Sequence, residues 1–122
     1  MPTSSVFPPV LPEPSPGAWV SINTGPVPLR CWWAPINNAR PATRAVIVLP
    51  EIFGLNRWVR GVADRLSAAG VPALAMPLFA RTAPALVLGY DSESTKEGRR
   101  HKEATSTERI LADVQASIDW LR

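Results

Sequence analysis

The run Ala45-Val46-Ile47-Val48-Leu49 is short and apolar at every position. A stretch without polar alternation is the pattern of a strand covered on both faces, as in a parallel sheet. The residues after it fit that setting. Asn56 stands as an N-cap, and Val59, Val62, Leu66 and Ala69 recur at helical spacing. Gly70 then takes the C′ position, where a positive φ costs glycine nothing. Val71 to Met76 is a second short apolar run, with Pro72 tolerable at a strand start. Strand, helix and strand with short connections predict a β-α-β unit, right-handed in its crossover, with both strands buried on both faces.

The flanks extend this core. Trp19, Val20 and Ile22 favour a strand ending at the turn residues Asn23, Thr24 and Gly25. Val27 to Ile36, with Leu29, Trp32 and Trp33, forms the second arm of an antiparallel hairpin, and Pro28 and Pro35 push that arm to an edge. The adjacent Trp32 and Trp33 then face opposite sides of the sheet, as packing residues. Asn37 to Arg44 reads as a loop. Phe79 to Lys102, containing Pro84, Gly89 and Gly98, reads as a long irregular excursion, a feature that is usually functional in a compact domain. Thr105 and Glu108 spell a capping box for a last helix, with Ile110, Leu111, Val114, Ile118 and Leu121 along one face. The expected fold class is α/β: a hairpin, a β-α-β unit and a further helix. Residues 1–17, with six prolines, form a flexible or extended leader, and 18–122 form the domain.

Composition narrows the function. With 122 residues the chain has room for one domain, and 46% hydrophobic with 19% charged residues is ordinary for a globular protein. No apolar run approaches the roughly 20 residues of a membrane span. The leader has no basic residue and no apolar core, so it is not a secretory signal. A single cysteine, Cys31, excludes an internal disulfide and suits a reducing cytoplasm. The formal charge is +3, but the arginines are scattered, and even Arg99-Arg100-His101-Lys102 is followed at once by Glu103. Nucleic-acid binding needs a continuous basic face or a recognisable module, and neither is present. The cluster reads as a solvated loop, with steering of an anionic substrate as its sharper role.

Glu51 carries the chemistry. It stands in Pro50-Glu51-Ile52-Phe53-Gly54-Leu55-Asn56, at the carboxyl end of the first buried strand. Ligands bind beyond the carboxyl ends of strands in open parallel sheets. A carboxylate among apolar residues there is expected to be partly desolvated. Backbone amides at Ile52 or Phe53 could point at a developing oxyanion. A structural role, capping the helix region or pairing with Arg57, Arg60 or Arg81, fits its position equally well.

The stretch Val48-Leu49-Pro50-Glu51-Ile52-Phe53-Gly54-Leu55-Asn56 resembles the E-I-F-G-x-N signature of the dienelactone hydrolases. Val62 to Gly70 resembles the helix that follows it, Leu78-Phe79-Ala80-Arg81-Thr82-Ala83-Pro84 resembles the family's L-Y-x-R-x-A-P segment, and Ile110 to Arg122 resembles the next helix. The resemblance runs from about Trp19 to Arg122 and implies the amino-terminal part of an α/β-hydrolase. It implies metal-free, cofactor-free hydrolysis of lactones or related esters by a cysteine, a histidine and an aspartate. Glu51 matches the glutamate that contacts the thiol, and Ile52 the oxyanion-hole amide. Arginines hold the substrate carboxylate in that family, and Arg81, Arg99 and Arg100 are the candidates here. One departure is Met76-Pro77, where the family reads proline-aspartate before the leucine.

The family's nucleophile lies on a G-x-C-x-G turn beyond the last helix. No glycine of this chain begins such a pattern, and the sequence reaches Arg122 where another strand is expected. Cys31 precedes Glu51 within a predicted strand and reads as passive. His101, the only histidine, lies in the wrong order for the fold and reads as a solvated loop residue. The leading expectation is the front portion of a hydrolase, inactive without the missing groups, acting on a small-molecule ester or lactone when complete. The alternative is a non-catalytic remnant or interaction module on the same scaffold. A phosphate-binding domain is weaker, because no glycine-rich phosphate loop is present. Self-association or a complementing chain is expected at an open sheet edge.

Overall fold

The computed structural model describes residues 17–36 and 42–122. Expectations for the leader before Gly17, and for much of the loop before Arg44, lie outside the described residues. The chain forms β1 (Ala18–Ile22), β2 (Leu29–Ala34), β3 (Val46–Val48), α1 (Arg57–Ala68), β4 (Ala73–Ala75), α2 (Ser92–Ala104) and α3 (Thr107–Leu121). The strands make one mixed sheet in the order β1-β2-β4-β3. β1 pairs antiparallel with β2 and β2 antiparallel with β4, while β3 and β4 are parallel across α1, as the β-α-β pattern predicts.

Period-two alternation sorts the side chains into two cores. On the α3 face, Ile22, Leu29, Cys31, Leu74 and Met76 are buried with Ala116 of the helix. On the α1 face, Ala34, Ala73 and Ala75 lie under Val59, Ala63 and Leu55. The alanines leave room for α1 to pack closely on the sheet. The paired tryptophans divide as alternation requires. Trp32 stands edge-on to Trp19 at 5.3 Å and donates from Nε1 to Asp64 Oδ1 at 2.8 Å on the α1 side, whereas Trp33 meets Trp120 at 5.2 Å on the α3 side. Asn56 caps α1, its side chain accepting from Val59 N–H, and Gly70 follows at φ +93°.

Four sequence expectations are corrected. β2 is internal and not an edge, because Pro28 and Pro35 fall just outside Leu29–Ala34, where no ladder donor is needed. β3 is not buried on both faces. It is the outer strand of the described sheet, with Val46 and the adjoining Leu49 exposed. The excursion from Phe79 to Lys102 is not wholly irregular, since α2 fills its second half. The cap of α3 is Ser106, accepting from Arg109 N–H, while Thr105 closes α2.

Helix α2 has almost no apolar side chain, so polar contacts hold it. Asp91 caps it, accepting from Ser94 N–H at 2.8 Å, and Lys96–Glu93 and Arg100–Glu97 pairs line its surface. Only Gly98 is buried. A Cβ there would collide with the Ile52 carbonyl, so glycine lets α2 lie directly on the loop that follows β3.

Candidate active site

The carboxyl ends of β3 and β4 carry two loops that clasp one another. Leu55 N–H donates to Leu86 O at 3.2 Å and Leu88 N–H to Phe53 O at 2.8 Å, forming an isolated antiparallel bridge between Gly54 and Val87. Gly54 sits at φ +77°, and a Cβ at that position would run into the Leu86 carbonyl. Only glycine satisfies both demands.

Asn56 ties the arrangement together. Its Oδ1 caps α1, while its Nδ2 donates to Leu88 O at 3.2 Å and Tyr90 Oη at 3.0 Å. Phe53 and Tyr90 meet edge-on at 4.7 Å. Arg60 adds a donor to Leu55 O at 2.7 Å from α1. The sequence pointed to Asn56 as a cap but missed its reach to Tyr90, gave Gly98 no packing role, and did not single out Val87 or Tyr90. No local pattern encodes those long-range contacts.

Glu51 stands at the start of the first of these loops, its carbonyl accepting from Gly54 N–H at 3.4 Å. It is exposed, which corrects the expectation of a desolvated carboxylate. It forms no ion pair among the described residues, so the structural pairing with Arg57, Arg60 or Arg81 does not occur. The next residue, Ile52, is half-buried under α2, and its backbone N–H has no hydrogen-bond acceptor among the described residues. An amide without an acceptor on a loop held from both sides is available as a donor, and the Phe53 N–H is in the same state.

None of the three candidate arginines forms an ion pair with Glu51 among the described residues. Arg81 Nη1 donates to Asp113 Oδ2 at 2.8 Å, and the Asp113 side chain is only 1% exposed. Asp113 Oδ1 has no partner among the described residues, so Arg81 is the charge that makes this buried carboxylate tolerable. Arg99 is exposed on α2, and Arg100 is engaged with Glu97 at 3.0 Å.

His101 belongs to α2 and not to a solvated loop. Its Nδ1 contacts Thr82 Oγ1 at 3.0 Å, its Nε2 contacts Glu97 Oε2 at 3.2 Å, and its ring stacks on Phe79. The histidine bond first, and Arg100 beside it, hold the Glu97 carboxyl below its usual range. Hydroxyl, imidazole and carboxylate are thus in line. However, Thr82 N–H and Ala83 N–H both donate to Phe79 O, so those two amides are not free to hold an oxyanion. The cluster fastens α2 to the loop after β4. Cys31 is buried in β2, and burial, then the charge of Asp113, push its thiol up to about 12. A thiol so placed is inert as a nucleophile.

Residues 34–122 match the dienelactone hydrolase family. The chain belongs to that family. A Synechocystis protein provisionally named carboxymethylenebutenolidase is 41% identical over 75 residues, covering 62% of this chain and 30% of the relative. The crystal structure of a protein assigned as a dienelactone hydrolase from Klebsiella pneumoniae superposes with a TM-score of 0.72 at 25% identity, over 86% of this chain and 42% of that one. A dienelactone hydrolase-like promiscuous phosphotriesterase from metagenomic libraries gives 0.58 at 27% identity, over 82% and 41%. The chain therefore spans less than half the length of each of these relatives. The α/β-hydrolase expectation holds for the part that is present. No helix among the described residues is long and apolar enough to cross a membrane.

Proposed function

We propose that this chain supplies one wall of the active site of a carboxylic ester or lactone hydrolase. Glu51 is the group that meets the nucleophile, and the Ile52 amide is one oxyanion donor. The carrying observation is the free Ile52 N–H on a loop clamped by the Gly54–Val87 bridge and by Gly98 of α2. A donor without an acceptor, on a loop held in place, is available to the charge that develops on an attacked carbonyl oxygen. An exposed Glu51 beside it is open to an incoming thiol and can take its proton when substrate binds. The nucleophile, its histidine and its aspartate come from residues outside this chain, because Cys31 is buried and His101 is committed to Thr82 and Glu97. No metal or cofactor enters the scheme. The lone, reduced cysteine suits a cytoplasmic setting.

The relatives widen the range of substrates that such a wall serves. A phosphotriester carries no ionisable oxygen, so the activity named for the metagenomic relative is one on an uncharged ester.

Co-expression with the remainder of the Synechocystis relative tests the proposal. The complex should turn over an activated ester or lactone, the chain alone should not, and Glu51→Gln should lower turnover by about 10²-fold while the complex still assembles. Unchanged kinetics in Glu51→Gln would assign that residue to structure. Turnover by the chain alone that disappears in Cys31→Ala or His101→Ala would refute the proposal. A folded complex without turnover would favour the alternative, a non-catalytic module.

A further inference from the structure

Among the described residues, β3 leaves one side of its backbone unpaired. Val46 N–H donates to Pro72 O at 3.0 Å and Val48 O accepts from Met76 N–H at 3.2 Å, so residues 46 and 48 use their groups on β4. Successive residues of a strand turn to opposite sides, which leaves the N–H and C=O of Ile47 facing outwards, with Ala45 and Leu49 in the same phase. Side chains alternate as well. Val48 packs on the α1 side and Ile47 on the α3 side, so Leu49 belongs to the α3 side, and it is 52% exposed. On that side lies a cavity of about 590 Å³, lined by Trp33, Ala45, Ile47, Ile118 and Leu121. Its charged lining, Arg44 and Arg122, is basic. Neither arginine forms an ion pair among the described residues.

We infer that a second copy of this chain pairs with this edge, β3 antiparallel to β3, about a two-fold axis through Ile47. A two-fold interface must be self-complementary, and this register makes it so. Ile47 of each copy gives one N–H and takes one, using the groups that β4 leaves free. Ala45 then stands opposite Leu49 of the second copy. The small residue leaves room for the large one, which enters the cavity beside Ile47, Ile118 and Leu121. Two residues further on, Glu51 of the second copy comes opposite Thr43, which lines the same cavity with Arg44 and Arg122. An exposed carboxylate without an ion pair in one chain thus meets cations in the pair, and symmetry makes each contact twice. The pairing describes the chain by itself, whereas the hydrolase proposal describes it with a complementing half. Mass reads the first and turnover the second, so either can fail alone.

Cysteine cross-linking tests the register, since Cys31 is buried with its thiol pushed up to about 12 and stays out of the reaction. Chains carrying Ala45→Cys, mixed with chains carrying Leu49→Cys, should form a disulfide-linked dimer under mild oxidation. Directly opposite Cα atoms are about 5.5 Å apart, within disulfide reach. Neither variant alone should cross-link, because like positions are then four residues out of register, about 13 Å apart. Both positions are exposed, so neither substitution threatens the fold. Analytical ultracentrifugation of the unmodified chain should show a dimer. Leu49→Lys brings a cation to the basic cavity and should raise the dissociation constant at least about tenfold, with the circular-dichroism spectrum unchanged. Glu51→Lys should raise it several-fold. A monomer at every concentration up to about 1 mM overturns the inference, as does an oligomer indifferent to Leu49→Lys. A mixture no more cross-linked than either variant alone overturns it too.

Discussion

Replacing Arg81 by alanine should cost this chain far more stability than a partly exposed arginine usually does. Most surface ion pairs contribute between nothing and about 1 kcal/mol. This one differs in its acidic partner. Asp113 is 1% exposed, its Oδ2 is 2.8 Å from Arg81 Nη1, and its Oδ1 has no partner among the described residues. Without Arg81, a buried carboxylate would remain near Cys31, with no hydrogen bond to its side chain among the described residues. Breaking a buried pair from one side costs about 3–5 kcal/mol. Arg81 is 22% exposed, so water can enter the space it leaves, and the lower end, about 3 kcal/mol, is expected. With a urea m-value of about 1.5 kcal/mol/M, the midpoint should fall by roughly 2 M. Arg81→Met combined with Asp113→Leu removes both charges and should recover most of the loss. Urea titration followed by tryptophan fluorescence and by far-ultraviolet circular dichroism measures all three proteins. An Arg81→Ala midpoint within about 0.3 M of the parent, or a double variant as weak as the single one, would refute the argument.

Gly98→Ala should lower the melting temperature, although alanine in an exposed helix interior normally gains about 1 kcal/mol over glycine, because its Cβ would press on the Ile52 carbonyl. Cys31 should resist iodoacetamide at pH 8 in the folded chain and react once urea unfolds it. Its thiol is held near 12 when folded, so the unfolded state loses the proton first and stability should decline as pH rises from about 9 towards 12. The open edge at β3 should recruit other chains. Size-exclusion chromatography with light scattering should show an oligomer, or a monomer only in company with a complementing chain, whereas a monodisperse monomer with a cooperative melt would show the edge to be satisfied.

The legible part of the fold was the part whose signals are local. Alternation and apolar runs located β1 to β4, the cap at Asn56 and the glycine at position 70 bounded α1, and the family signature marked the loop at Glu51. The position of β2 was misjudged because a proline matters only if its missing N–H faces a partner, and Pro28 and Pro35 stand one residue beyond each end of the ladder. Helix α2 escaped because periodicity detects helices through their buried face, and this one buries a single glycine. Its other signals were readable: Asp91 as a cap, Glu93 in the first turn, and His101 and Lys102 in the last.

The same blindness hid the site's geometry. Gly98 meets Ile52, Val87 meets Gly54, and Asn56 reaches Tyr90, each across a separation no local pattern spans. Arg81 shows a pairing that the motif did not disclose. Within a family motif at the end of a strand, an arginine is naturally assigned to a substrate carboxylate. Asp113, the residue that claims it, is visible in the sequence only as a polar interruption on the inward face of α3. A lone acid at a buried helical position requires a cation from elsewhere in the chain. That requirement could have pointed to Arg81 as the partner of Asp113 from the sequence.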